Sequence, residues 1–191
     1  YKRIKNWPEL AATVNQLTKL QANYPKVWDY QAWNLAFNVA AEFDDYRHRY
    51  RWVIRGFEYY LEGMKYNEHD ASLQNRYAFS VNQKIGRSDE RKQFRRMFKE
   101  DDDFHGSRPL AERDNWLYAR QWYQEAENMV DERGATFRGE APVIFRSHAA
   151  MCLMYYAEYL ELDGVFGQAA RQAWKSAGDA WDEFGRRDIP T

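Results

Sequence analysis

Apolar residues recur along this chain at the three-and-four spacing of helical faces, and the recurrence is cleanest from Ser147 to Phe184. There Ala150, Leu153, Met154, Ala157 and Leu160 share one face, and beyond Gly164 so do Phe166, Ala169, Ala170, Ala173, Trp174, Ala177 and Trp181. Small residues in the second half sit where a neighbouring helix comes close. The pattern predicts a helical hairpin hinged at Gly164, whose stripe needs a further element to cover it.

The same spacing orders the chain before it. Trp7 to Leu20 predicts a helix with Asn6 as cap, Pro8 in the first turn, and a stripe of Trp7, Leu10, Val14, Leu17 and Leu20. A second runs from Lys26 to His48 on Trp28, Ala32, Leu35, Ala36, Val39, Ala40 and Phe43, and a third from about Tyr50 to Tyr66 with Gly56 and Gly63 as notches. Between them Asp44 to Tyr50 holds no Gly or Pro, so one long bent helix is also readable. Asp70 caps a fourth helix that Gly86 closes, and Ser88 caps a fifth with Phe94, Met97 and Phe98 inside. After a break at Asp101 to Pro109, a sixth runs from Leu110 to Glu132 and stops at Gly134. Ala135 to Phe145 lacks helical period and reads as the longest connection, with Pro142 to Phe145 extended. Sustained strand alternation is absent, so the fold class is all-α, in antiparallel hairpins, over one domain spanning 1–191.

Composition sharpens this picture. Aromatics are 17% of the 191 residues, with 8 Trp, so large rings supply much of the buried area. Lys plus Arg at 28 against Asp plus Glu at 29 leaves a net charge of -1, which argues against a nucleic-acid-binding surface. The single cysteine, Cys152, excludes an internal disulfide and reads as a small buried hydrophobe, with His148 as the one nearby base. No run reaches the length of a membrane span, so this segment is not expected to insert. It opens without Met and stops at Asp188-Ile189-Pro190-Thr191, which reads as a fragment of something longer.

Two acidic clusters are the candidate metal sites. Asp101-x-Asp103-x-His105-Gly106-Ser107, with Glu112 at the twelfth position, has the offsets of a calcium-binding helix–loop–helix. His105, Arg108 and Pro109 depart from that pattern, and the plainer reading is an acidic helix end followed by a Ser107 cap. Glu42, Asp45 and His48, with Asp44, make helical-face pairs able to ligate a transition metal, though Arg47, Arg49 and Arg51 offer salt bridges instead. A basic strip of Arg91, Lys92, Arg95, Arg96 and Lys99 can hold phosphates or pair internally. Phosphate loops, nucleophile elbows, His-Glu-x-x-His and Cys-x-x-Cys are all absent, so the chain leans against an enzyme and implies no cofactor.

The ordered residues Ala157, Leu160, Gly164, Phe166 and Ala169 resemble the tetratricopeptide-repeat signature, closely over one repeat and loosely over the others. The stretches QAWNLAFNVAAEFDDYRHRYRWVIRGFEY, QKIGRSDERKQFRRMFKEDDDFHGSRPLAERDNW and GEAPVIFRSHAAM resemble a planctomycete-type bacterial family to which no activity is attached. These resemblances imply a right-handed solenoid of stacked hairpins, the first helix being half a repeat. They also imply a cell-envelope location through an anchor outside this segment. The function expected is a non-catalytic protein-interaction or assembly scaffold, the alternative a metal-binding protein or metal-dependent enzyme. Its partner would be a protein or peptide, held on polar residues of the first helices: Asn34, Asn38, Asn75, Asn82 and Arg120.

Overall fold

The computed structural model describes residues 12, 13, 16, 18 and 20–189. Among them the chain is all-helical, and the one extended pairing is an isolated bridge between Asp70 and Thr136. The first expected helix lies mostly outside the described residues. Its last stripe position, Leu20, is 81% exposed rather than covered.

Helix α1 (Pro25–Trp33) starts on Pro25, whose missing donor costs nothing there, and continues as a π segment (Asn34–Val39) and a 3-10 turn (Ala40–Glu42). Phe43 then turns extended, and Asp45 accepts from the Arg47 and His48 amides at 2.7 and 3.3 Å to cap α2 (Tyr46–Tyr66). The readings of a helix out to His48 and of one bent helix are therefore corrected, because an aspartate cap restarts the chain without Gly or Pro. Gly56 and Gly63 are the expected notches. A methyl at Gly56 would come within 2.7 Å of the Ala32 carbonyl, and one at Gly63 within 2.6 Å of Trp28 Cγ, so α1 lies almost on the α2 backbone.

Asp70 caps α3 (Ala71–Val81) at 2.9 Å, and α3 too ends in a π segment (Asn82–Gly86). Helix α4 (Arg91–Glu100) does not use Ser88 as expected. The Ser88 carbonyl accepts from Arg91, and its hydroxyl is buried without a partner. A short α5 (Asp102–His105) and a 3-10 turn (Leu110–Glu112) precede α6 (Asn115–Arg133), which Asp114 caps at 2.9 Å. The sixth helix thus begins five residues later than read, and Leu110 is exposed. Gly134 ends it at φ 63, as expected. Helix α7 (Pro142–Leu162) absorbs the stretch expected to be extended, with Pro142 at its start, and Gly164 (φ 82) turns the chain towards α8 (Gln168–Gly185).

Helices α1 and α2, α2 and α3, α6 and α7, and α7 and α8 pack as neighbours in sequence, whereas α3 packs on α6 across the intervening α4 and α5, and α1 also touches α3. Rings fill the middle of this stack. Phe57 meets Tyr77 and Phe98 edge-on at 5.6 and 6.5 Å, and the Tyr77 and Tyr118 hydroxyls share a hydrogen bond of 2.9 Å inside the core. A methyl at Gly86 would meet the Trp116 ring at 2.5 Å, which fixes α6 against the π segment of α3.

Candidate functional site

The contact between α1 and α3 sets two half-buried aromatic groups side by side. On α1 and its π segment Trp33 and Phe37 stack with centroids 3.6 Å apart, and Trp33 stacks on Phe79 of α3 at 6.4 Å. Each ring carries a cation. Arg76 stands 5.4 Å from the Trp33 centroid and 5.5 Å from that of Phe79, and Lys84 stands 4.7 Å from that of Phe37. Further along, Arg87 covers Tyr155 of α7 at 4.2 Å. Arg76 has a carboxylate partner in Asp29 at 3.4 Å, whereas among the described residues neither Lys84 nor Arg87 lies in an ion pair. Burial pushes the Lys84 ammonium below its ordinary value, against the opposing pull of Glu90. Lys84, Arg49, Arg87 and Glu90 line a cavity of about 310 Å³ beside the rings. The face offers flat apolar area edged with positive charge, suited to acidic and aromatic or aliphatic groups of a partner.

Two expected groove residues lie on this face: Asn34 accepts from the Asn38 amide at 2.9 Å beside Trp33 and Phe37. Asn75 and Asn82 are instead 2% and 8% exposed, in a polar seam between α3, α6 and α7. The Asn75 amide donates to Glu140 at 2.6 Å, its oxygen meets His148 Nδ1 at 3.3 Å, and His148 Nε2 lies 3.3 Å from Glu140. Burial depresses the His148 imidazolium although Glu140 favours it. Asn82 donates to Cys152 Sγ at 3.3 Å, and burial pushes that thiol up to about 12, so it stays protonated near neutrality. The seam joins helices and is not a nucleophilic site. Arg120 lies on α6, away from the α1 and α3 face, and lines a separate cavity.

The acidic clusters are spent locally. Asp45 is a helix cap, His48 is exposed with its ring against Phe43 at 6.1 Å, and Glu42 ends the 3-10 turn. Asp101 caps α5 through the Phe104 amide at 3.0 Å and accepts from the Tyr50 hydroxyl at 2.8 Å. Asp102 pairs with Arg113 at 2.5 Å, Glu112 lies 3.7 Å from Arg108, and Asp103 faces solvent. His105 is buried with Nε2 2.7 Å from the Phe98 carbonyl, and burial lowers its pKa. Gly106 makes the expected sharp turn at φ 57, yet it follows a four-residue helix that turns these side chains apart. Among the described residues no three His, Cys, Asp or Glu side chains gather as a metal site would require, so neither the Glu42/Asp45/His48 set nor the Asp101/Asp103/Glu112 set is assembled. In the basic strip, Arg95 pairs inward with Asp163 at 2.8 Å and Asp114 at 3.5 Å.

The aromatic face left little trace in sequence terms. Its members sit at helical spacing like core residues, and the cation over each ring comes from a different turn or helix. Comparison with protein-family models, curated proteins and solved structures returned no match to the chain. No helix among the described residues is long and apolar enough to cross a membrane.

Proposed function

We propose that the chain is a tetratricopeptide-like interaction module that holds an acidic, extended segment of a partner protein on the face shared by α1 and α3. The packing of α1 on α2, α2 on α3, α6 on α7 and α7 on α8, with α1 also in contact with α3, supports the repeat reading. The observation that carries the binding reading is the row of Trp33, Phe37 and Phe79 under Arg76 and Lys84. Stacked rings supply contact area at low entropic cost, and the Lys84 ammonium, in no ion pair among the described residues, supplies the charge an acidic segment complements.

Selection from a displayed library of random extended peptides tests this. Enriched sequences should be rich in Asp and Glu with an aromatic or aliphatic anchor, and their binding should weaken with added salt. Trp33→Ala with Phe37→Ala should cost about 2 kcal/mol or more of binding, while Glu58→Ala on the exposed side of α2 leaves it unchanged. Peptides without acidic enrichment, or binding that survives loss of both rings, would refute the reading.

A further inference from the structure

A second polar cavity, of about 260 Å³, opens between α6, α7 and the end of α8, and shares no residue with the aromatic face. Ala149, Ala150 and Ala180 leave the room, since larger side chains at these helix contacts would fill it. From one wall projects Glu127, 4% exposed. Arg187 donates to its Oε2 at 2.6 Å and Arg146 lies 3.7 Å away, while Oε1 is buried and accepts nothing. Arg146 is drawn off towards Asp131, with which it makes a two-pronged pair.

Arg120 lines the same cavity from two turns earlier on α6. Its Nε is buried with no acceptor, and no hydrogen bond or ion pair among the described residues engages its guanidinium. The cavity is thus lined by one cation without an anion and by a carboxylate whose closed-off Oε1 has no donor. Glu183 adds a second negative charge at its edge. A buried polar group left unmatched is unfavourable, and a lone anion or lone cation would satisfy one of these groups while facing the other's like charge.

We propose that this cavity binds a small amino carboxylic acid, its carboxylate on the Arg120 fork and its ammonium at the Glu127 carboxylate. Arg187 and Arg146 then serve as positioning residues that fix the Glu127 carboxylate. Seven residues of helix separate the two anchoring positions, about 10 Å at the backbone, which two long side chains reach across to a compact ligand. This site stands independently of the peptide-binding reading.

Glycine, β-alanine and γ-aminobutyrate, with acetate, n-propylamine and inorganic phosphate as single-charge probes, are titrated against the whole chain at fixed ionic strength by calorimetry and thermal unfolding. At least one amino acid should bind and raise the unfolding midpoint, more tightly than any single-charge probe. Arg120→Gln, which breaks no ion pair, should weaken that binding about tenfold or more, with Arg120→Lys between. Glu127→Gln should weaken it too, and its unfolding midpoint without ligand is read alongside because the Arg187 pair is altered. Binding by none of the amino acids, acetate or phosphate binding as tightly as they do, or full affinity in Arg120→Gln would each overturn the proposal.

Discussion

The central helices and the C-terminal hairpin bury their faces by opposite means. From α1 to α6 the contacts are filled by Trp28, Phe57, Tyr60, Tyr77, Phe98 and Trp116, each at most 1% exposed. Helix α8 is held on α7 by Ala170, Ala173 and Ala177, while Phe166 and Trp174 stand 70% and 40% exposed. The hairpin with the most regular pattern is therefore the less deeply covered one. A large buried ring contributes about 1.5–3 kcal/mol and an alanine methyl far less, so α8 depends on close helix approach and on polar ties such as Arg187 to Glu127. Periodicity reports which face a helix turns inward, not how much area that face removes from water.

The sharpest way to break this contrast is Trp116→Ala. That ring has no exposure and lies against Tyr155 and Tyr159 at 5.0 and 5.2 Å, so it joins α6 to α7 as well as to Gly86. Denaturant unfolding should show a loss of about 3–5 kcal/mol.

A paired glycine test sharpens it further. Gly63→Ala drives a methyl into the Trp28 ring and should cost about 1–3 kcal/mol with a change in Trp fluorescence. Gly178→Ala on α8 meets nothing within 4 Å and should stabilise by up to about 1 kcal/mol through helix propensity. Equal signs at the two positions would erase the distinction between the regions.

The smallest effect is a pH dependence at the seam between the regions. His148 titrates below the ordinary 6.5 because burial disfavours its charged form. As pH falls the unfolded chain takes up the proton first, so stability is lost from about pH 6.5 down through the folded value. His148→Gln should flatten thermal stability between pH 7 and 5.5, by less than about 1.4 kcal/mol per pH unit. Asp114 and Glu127, raised by burial, act with the opposite sign in the carboxylate range, where protonation favours the folded chain.

The helical class, the glycine notches at Gly56 and Gly63, the Asp70 cap and the Gly134 stop were all legible, because each rests on a local steric or hydrogen-bonding rule. The Asp45 and Asp114 caps sat among other acids and read as chemistry or as helix interior. Asn75 and Asn82 looked like surface groove residues because an isolated sequence cannot show that His148, Glu140 and Cys152 arrive from 65 or more positions away to satisfy them. Arg120 reads from sequence as a groove residue, yet it sits among residues of α6, α7 and the end of α8. Its unmatched Nε is visible only once α7 and α8 close over α6.

Helices α1 and α3 both run into a π segment, at Asn34–Val39 and Asn82–Gly86, whereas α7 is continuous α-helix over 21 residues. A π turn accommodates about one residue more than an α turn. Superposing the first helix of one hairpin on that of another therefore keeps the α1 and α3 numbering in step with each other but slips both by a position against α7.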